Sequence, residues 1–247
     1  MQWNSLISAI PQHWKNSIKF YRGYGEPPNN LQLRINNISK PIDDLFCKDF
    51  YWEIIRKKSV KPAGSEKWEE IYYYIDFDWK HIYSMPYLVA RETHLQSLQY
   101  QILNRFIPCK YALKLWNKEE SELCQLCNTS DTIEHFFMSC NRVVPFWKSF
   151  NQWFSRTTET QILLGTFDII FGIPYVNNDS LLNALNYCIL LAKKIIYNSQ
   201  IEEKVCNFNQ FKMKLKNRLD AELFLYTESN KIEMFVEQWQ NIHNALL

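Results

Sequence analysis

The sequence predicts a mostly α fold, an irregular assembly of helices with one short β-strand or hairpin. Glycine is scarce, at 5 of 247 residues, and the aromatic fraction is high, at 16%. Few glycines together with many Leu, Ile, Lys, Glu, Asn and Gln favour helices over a turn-rich β-sandwich. After residue 46, apolar residues recur at the three- and four-residue spacing of amphipathic helices. A chain of this length can bury a large core, as one large domain or two small ones.

Residues 1–46 are expected to be irregular. Residues 6–19 are compatible with one helix interrupted by Pro11, and residues 23–30 have the composition of a loop. Apolar and polar residues then alternate over a short segment, which predicts a strand containing Leu31, Leu33 and Ile35.

Four helices and a shorter fifth one are predicted between residues 47 and 117. The first is Cys47–Lys58, with an apolar face of Phe50, Tyr51, Ile54 and Ile55. The next three are expected to begin at the capping residues Ser65, Asp78 and Thr93. Prolines are expected to end the third and fourth helices, at Pro86 and Pro108. The inward residues of these three helices are expected to be Trp68, Ile71 and Tyr72; Trp79, Ile82 and Tyr83; and Leu95, Leu98, Ile102 and Phe106.

Four further helices and one loop are predicted after residue 140. Residues 143–154 form a predicted helix whose apolar side is Phe146, Trp147, Phe150 and Phe154. Residues 163–178 are expected to form a loop with an apolar centre. Apolar residues from 181 to 196 follow helical spacing closely, and the last two helices are marked by Phe208, Phe211, Leu215 and Leu219 and by Ile232, Val236 and Trp239.

Three cysteines and a histidine are concentrated within seventeen residues. Cys124 and Cys127 form a CxxC pair, His135 follows Cys127 by eight positions, and Cys140 follows His135 by five. A CxxC pair can reach one ion from a tight turn, and three thiolates with one imidazole form a tetrahedral set that Zn²⁺ favours. Four protein ligands leave no position for water. The sequence therefore predicts one structural Zn²⁺ in a small CCHC knuckle, around which the helices are arranged.

The CxxC pair is also compatible with a chance occurrence or with a redox motif. Isolated CxxC pairs arise by chance, and the histidine would then be an ordinary polar residue. A redox CxxC should open a helix after a strand, whereas Cys124 follows the polar run 117–122. The third cysteine and the histidine favour zinc, and Asp131 or Thr132 is expected to cap a short helix that carries the histidine.

The remaining cysteines and the N-terminus suggest a reducing compartment. Cys47, Cys109, Cys188 and Cys206 lie in apolar or helical contexts and are expected to be free buried thiols. The N-terminus lacks the basic region and apolar core of a signal peptide. Charged residues interrupt both long apolar runs, so no membrane span is expected. We expect an intracellular protein, cytoplasmic or nuclear, without membrane contact.

No catalytic motif is evident in the sequence. Residues 72–78 faintly resemble the aromatic-x-Asp-Asp hairpin of polymerases, in which adjacent carboxylates share two Mg²⁺ ions. Phe77 separates Asp76 from Asp78 here, and Asp78 is better explained as a helix N-cap. Residues 165–172 lack the Lys-Ser or Lys-Thr of a phosphate-binding loop. We therefore expect the chain not to be an enzyme.

Charge is distributed unevenly, although the net charge is only +2. Residues 91–118 carry five Lys or Arg against one Glu, and residues 193–218 carry seven against two Glu. Residues 119–140 carry five acids and no Lys or Arg, and residues 219–247 carry five acids against one Lys. The acidic knuckle would repel phosphates, so phosphate contacts are expected on the flanking basic helices. The alternative is that these charges form the solvated faces of ordinary helices.

Several segments carry the motifs of one known family. They are Leu95–Lys110, the CxxC pair, Glu134-His135-Phe136-Phe137, Cys140 and Phe146-Trp147, with weaker matches at 50–53, 68–71 and 185–193. Together these segments resemble the zinc-binding region that follows the reverse transcriptase of non-LTR (LINE-like) retrotransposons. The resemblance covers most of residues 45–245 and is strongest at 86–150.

The resemblance implies a polyprotein of a transposable element, with an endonuclease, a polymerase core and this C-terminal segment. In that family the segment helps engage template RNA and target DNA. This chain lacks the aromatic-x-Asp-Asp pair and the endonuclease carboxylates, so it is interpreted as a C-terminal fragment or truncated copy. Three parts are expected: an N-terminal helical segment (1–85), a reverse transcriptase-type zinc-binding domain (86–150) and a C-terminal helical segment (151–247).

The expected function is non-catalytic binding of RNA or DNA through basic helices that flank the zinc. The rival expectation is a zinc-stapled helical scaffold that contacts only protein, either the polymerase core or a host partner. A degenerate remnant without function is a third possibility. The residues expected to contact nucleic acid are Arg91, Arg105, Lys110, Lys114, Lys193, Lys194, Lys212 and Lys216.

Overall fold

The structure, a computed structural model, describes residues 12, 32–35, 38–41, 44, 46–58, 60–174 and 179–247. The chain divides into two compact units, residues 1–60 and 61–247. The boundaries expected from the sequence at 85/86 and 150/151 both fall within helices of the second unit. The predictions for residues 6–19 and 23–30 lie outside the described residues, apart from Gln12.

The first unit contains a β-hairpin and a helix. Strands β1 (Gln32–Ile35) and β2 (Ile38–Pro41) pair antiparallel, with Ile35 opposite Ile38. Helix α1 spans Cys47–Lys58, as predicted. Its predicted apolar face is exposed, and Cys47, expected to be a buried thiol, is exposed as well.

The second unit is helical, which confirms the predicted mostly α fold. Its elements are α2 (Ala63–Ile71), α3 (Trp79–Val89), α4 (Thr93–Leu103), α5 (Lys110–Leu115), a π-helical turn (His135–Ser139), α6 (Val144–Thr158), α7 (Thr166–Phe171), α8 (Ser180–Ile201), α9 (Phe208–Glu228) and α10 (Ile232–Asn244). None of the helices in the described residues is both long and apolar enough to cross a membrane.

Helix α8 forms the centre of this unit. It packs against α3, α4, α9, α10 and the π-helical turn. Fourteen of its 22 residues are buried, which is the property of a helix surrounded by protein on most sides. Helix α6 packs against α9 and α10, and its contact with α9 is made by aromatic rings. Its predicted apolar side is buried as expected, and Phe150 and Phe211 meet edge to face at 5.4 Å.

Helix α2 approaches the end of α4 so closely that a glycine is required. A Cβ atom added to Gly64 would lie 2.5 Å from the Leu103 carbonyl oxygen and 2.6 Å from the Asn104 Cα atom. The Leu103 carbonyl also accepts a hydrogen bond of 3.0 Å from the indole N–H of Trp68, which is fully buried. These contacts fix the register between the two helices.

Several predicted helix ends were wrong. Ser65 lies within α2 and is buried against the Tyr83 hydroxyl, at 3.1 Å, so it does not cap the helix. Thr93 is the first residue of α4, and its side chain makes no cap. Pro86 does not end α3, because a proline lacks only its own N–H and its carbonyl still accepts from the Ala90 N–H, at 3.1 Å. Asp78 is the N-cap of α3 as predicted, since its carboxylate accepts from the His81 N–H at 3.0 Å.

Two predicted environments also differ. Helix α4 ends at Leu103, before Pro108, because Arg105 adopts a left-handed backbone conformation with φ 60°. Phe106 is therefore exposed and not part of the buried stripe. Within the predicted loop 163–178, residues 166–171 form α7, and residues 175–178 lie outside the described part. The Asp168 carboxylate accepts from the Gly165 N–H at 2.9 Å and thereby starts α7.

Candidate metal centre

The four residues predicted as zinc ligands lie together. One potential ligand atom from each of Cys124, Cys127, His135 and Cys140 can be chosen such that all lie within 4.8 Å of one another. The Cys127 and Cys140 sulfur atoms are 3.9 Å apart. Three of the four residues are buried and Cys127 is half-buried. This cluster is compact enough to hold one metal ion.

A short hairpin presents the first two ligands. Leu123 and Ser130 form an isolated antiparallel bridge, and the Cys124 N–H donates to the Thr129 carbonyl at 2.8 Å. Asn128 turns the chain with φ 53°, a conformation that asparagine tolerates better than most residues. The turn brings both thiols of the CxxC pair to the same side.

The π-helical turn presents the third and fourth ligands. The Thr132 hydroxyl accepts from the His135 N–H at 3.3 Å, in agreement with its predicted capping role. At the far end of the turn, the Cys140 N–H donates to the His135 carbonyl at 3.0 Å. Because a π-helical turn closes over five residues, it places His135 and Cys140 one turn apart on one side.

Asp131 fixes the orientation of the histidine ring. Its Oδ1 atom lies 2.8 Å from His135 Nδ1, and its Oδ2 atom accepts from the Lys110 N–H at 2.9 Å. His135 Nε2 is buried and has no hydrogen-bond partner among the described residues. A carboxylate on one ring nitrogen commonly leaves the second nitrogen as the metal ligand. The donor set of this cluster therefore suits a metal ion bound at Nε2.

Neighbouring helices hold the knuckle in place. The Gln200 amide of α8 donates to the Phe136 carbonyl at 3.0 Å, and the Trp147 indole of α6 donates to the Phe137 carbonyl at 2.7 Å. Carbonyls at the end of a helical turn lack partners within the turn. The buried side chains supply those partners, so the knuckle is joined to the helical core by hydrogen bonds as well as by packing.

Within the cluster, the pKa values of Cys124 and Cys140 are shifted in opposite directions. Burial raises the pKa of Cys140 to about 11. Burial also opposes the Cys124 thiolate, but the N–H groups of Cys127 and Leu126 and the neighbouring thiols together lower its pKa. A bound cation reverses this penalty, because it holds its thiol ligands deprotonated.

Of the predicted nucleic-acid contacts, the structure buries Lys193 and half-buries Arg105. Lys193 is only 1% exposed, and its ammonium group donates to the Gln99 side chain and lies 3.4 Å from the Ile170 carbonyl. Arg105 was expected to reach outward, but its guanidinium lies over the Trp68 ring, 4.3 Å from the centroid. The prediction that Lys193 contacts nucleic acid was wrong, and so was the expectation that Arg105 reaches outward, because neighbouring helices cover or hold these side chains.

The six remaining basic residues of that prediction occupy different environments. Lys114 pairs with Glu122 at 2.9 Å and Lys216 with Asp220 at 3.0 Å. The ammonium groups of two half-buried lysines lie over aromatic rings of their own helices, Lys194 over Tyr197 and Lys212 over Phe208. Arg91 is exposed and Lys110 is half-buried. The structure thus brings the four ligands together but does not bring the eight basic residues into one patch.

Sequence reasoning assigned Asp131 only a possible capping role. The signal available was its spacing, because residues four apart on a helical turn face each other and Asp131 lies four positions before His135. Lys148 and Arg156 on α6, which line surface cavities, were not predicted from the sequence either. No local sequence signal identifies these residues, because the cavities are formed by segments distant in the chain.

Comparison with known proteins adds no assignment. No protein-family model matches the chain, and no curated protein matches it. Functional conclusions therefore depend on the residues and their geometry.

Proposed function

We propose that the chain is a zinc-stabilised, non-catalytic helical module of the type found after the polymerase in LINE-type reverse transcriptases. The single observation that carries the proposal is the cluster of Cys124, Cys127, His135 and Cys140, with ligand atoms within 4.8 Å of one another. Three cysteines and one histidine form a set typical of structural Zn²⁺. The sequence motifs that frame the cluster supply the family resemblance.

A structural role follows from the number of ligands. Catalytic zinc sites keep one coordination position for water or substrate, whereas four protein ligands close the site. The ion would join the hairpin that carries the CxxC pair to the π-helical turn. Because that turn is hydrogen-bonded to α6 and α8, metal binding would also stabilise the surrounding helices.

The first experiment measures metal content. The purified chain is expected to contain one Zn²⁺, and Cys140→Ser is expected to lose it and to loosen residues 110–150. Structural zinc in small modules contributes on the order of 10 kcal/mol of coupled folding energy. Cys206→Ser is the matched control, since Cys206 is a buried thiol outside the cluster. Full zinc retention by Cys140→Ser would remove Cys140 from the site.

The second part of the proposal is that the module engages template RNA or target DNA through basic residues away from the knuckle. The acidic residues Glu119 and Glu120 are exposed beside the cluster and would repel phosphates. Of the eight basic residues predicted from the sequence, Arg91, Lys110, Lys194 and Lys212 remain as contacts. Binding should weaken steeply with salt, because phosphate contacts release counterions.

Salt-dependent binding tests this second part. Arg91→Gln and Lys194→Gln are each expected to weaken binding and to lower the salt slope by about 0.9 for duplex DNA and about 0.7 for single strands. Glu120→Gln is the control and is expected to leave binding equal or slightly tighter. If the zinc-loaded chain shows no salt-dependent binding, nucleic-acid engagement is rejected while the zinc proposal stands.

A protein scaffold is the second candidate function, and one observation favours it. Large apolar side chains are exposed beside the acidic residues of the knuckle: Leu115, Trp116, Leu123 and Leu126. An exposed apolar patch with a charged rim is typical of a protein-contact surface. The partner would be the polymerase core or a basic host protein. This candidate is preferred if zinc is bound and nucleic acid is not.

A further inference from the structure

A groove along the solvent-facing side of α6 contains two cavities, one on each side of Gln152 and Arg156. The first, of about 450 Å³, lies between α6 and the start of α9 and includes Trp153, Phe208 and Lys212 in its lining. The second, of about 610 Å³, lies between α6 and the segment 161–164. Gln152 and Arg156 line both cavities, so the two adjoin. We call this feature the α6 groove.

The α6 groove is positively charged. Its lining contains Lys148, Arg156 and Lys212, and no carboxylate occurs among the described residues that line the two cavities. Lys148 and Arg156 are both exposed and lie eight residues apart, or about 12 Å along one face of the helix. None of the three cations forms an ion pair within the part of the chain that the structure describes. They contrast with Lys114, Lys216 and Arg218, which are paired with acids.

The lining of the α6 groove also contains apolar and aromatic side chains. Trp147, Ile162, Leu163 and Leu164 line the larger cavity, and the exposed fraction of Leu163 is 88%. Trp153 and Phe208 line the smaller cavity. Polar side chains between these residues, such as Ser149, Gln152 and Ser155, can donate and accept hydrogen bonds. Cations, apolar and aromatic side chains, and neutral polar groups that lie beside one another match a ligand with phosphates and flat bases.

We propose that the α6 groove binds single-stranded nucleic acid. Lys148, Arg156 and Lys212 would contact successive phosphates, and unstacked bases would enter the two cavities. A duplex keeps its bases stacked and presents mainly phosphates and groove edges, whereas a single strand can place its bases on apolar and aromatic side chains. This inference rests on the proposed nucleic-acid function and specifies where the strand binds and in which form.

The experiment uses the full zinc-loaded chain with fluorescein-labelled 12-nucleotide single strands, one of RNA and one of DNA, and a duplex of the same sequence. Fluorescence anisotropy gives the affinity at several KCl concentrations. Each of Lys148→Gln, Arg156→Gln and Lys212→Gln is expected to weaken single-strand binding and to reduce the salt slope by about 0.7. Lys80→Gln, at an exposed lysine of α3, is the matched control and is expected to behave as the wild type.

A fourth variant separates base contact from phosphate contact. Leu163→Ser removes an exposed apolar side chain and therefore should not disturb folding. It is expected to weaken single-strand binding with an unchanged salt slope, because an apolar contact releases no counterions. Loss of RNA binding, DNA binding or both in the groove variants supports the proposal and identifies the natural type of strand.

Three results would overturn the proposal in distinguishable ways. If the wild type binds single strands and all four groove variants bind equally well, the strand lies elsewhere and only the groove is rejected. If the groove variants weaken duplex binding and leave single-strand binding unchanged, the occupant is a duplex. If the zinc-loaded wild type binds no nucleic acid at any salt concentration, the groove and the proposed nucleic-acid function both fail.

Discussion

The pH dependence of the free energy of unfolding should show how much stability the chain loses because Lys193 is buried in the core. The residue is on α8, and the structure shows its ammonium group between the Gln99 side chain of α4 and the Ile170 carbonyl of α7. No carboxylate appears among its hydrogen-bond or ion-pair partners within the described residues. Burial therefore lowers the pKa of Lys193 to about 7, from an ordinary value of 10.5.

The sign of the resulting pH dependence follows from proton binding. Between pH 7 and pH 10.5 the unfolded chain holds a proton on Lys193 that the folded chain lacks. The contribution of this residue to the free energy of unfolding therefore rises with pH, by about 1.4 kcal/mol per pH unit. Below pH 7 both states are protonated and the contribution is constant. Across the whole window it amounts to about 5 kcal/mol.

The test compares the wild type with Lys193→Met, which has no titrating group at this position. The stability advantage of the variant should fall by about 2 kcal/mol between pH 7 and pH 9, because only the wild type gains stability from Lys193 over that range and its folded state is still half-protonated at pH 7. Urea unfolding followed by tryptophan fluorescence, with zinc present, gives both free energies. The buried thiols of Cys109 and Cys188, whose pKa values are raised by burial, affect both proteins alike and cancel in the difference.

Lys194→Met is the matched control, because Lys194 is the next residue on α8 and is half-exposed. Its stability difference from the wild type is expected to stay constant over the same range. If the difference between the wild type and Lys193→Met also stays constant from pH 7 to pH 9, Lys193 is not neutralised by burial. The placement of its ammonium group in the core would then be wrong.

Three further predictions concern packing, the cluster and catalysis. Gly64→Ala should destabilise the chain by about 1–3 kcal/mol in thermal unfolding, because the new Cβ atom would press on the α4 backbone. Gly165→Ala is the control and should leave stability nearly unchanged, because the nearest atom to its Cβ position is a side-chain atom at 3.5 Å. Equal effects of the two substitutions would contradict the close approach of α2 to α4. Asp131→Ala should weaken metal binding by about 10- to 100-fold in chelator competition, and unchanged affinity would show that the carboxylate does not position His135. Neither polymerase nor nuclease turnover is expected with Mg²⁺ or Mn²⁺, and metal-dependent primer extension that Asp76→Asn abolishes would refute this.

The local spacing of apolar residues was sufficient to predict much of the fold. The long helices α6, α8 and α9 were predicted from apolar residues at helical spacing, and their buried faces match because that spacing depends on the helix alone. Helix α7 was missed because six residues are too few to show a helical period. Its position is instead fixed by Asp168 and by burial of Ile169, Ile170 and Phe171.

The candidate metal cluster could also be predicted, since Cys124, Cys127, His135 and Cys140 lie within seventeen residues and come together through a hairpin and one helical turn. Local spacing could not determine which cations reach solvent. Lys193 lies on a helix that is covered on most sides, and Arg105 lies over Trp68 from a different helix. Such exposure depends on packing between segments far apart in the sequence, and only the tertiary structure specifies that packing. For the same reason the α6 groove, which is built from segments far apart in the chain, was decided by the fold. The four cluster residues, by contrast, lie close together in the chain and were determined by the sequence itself.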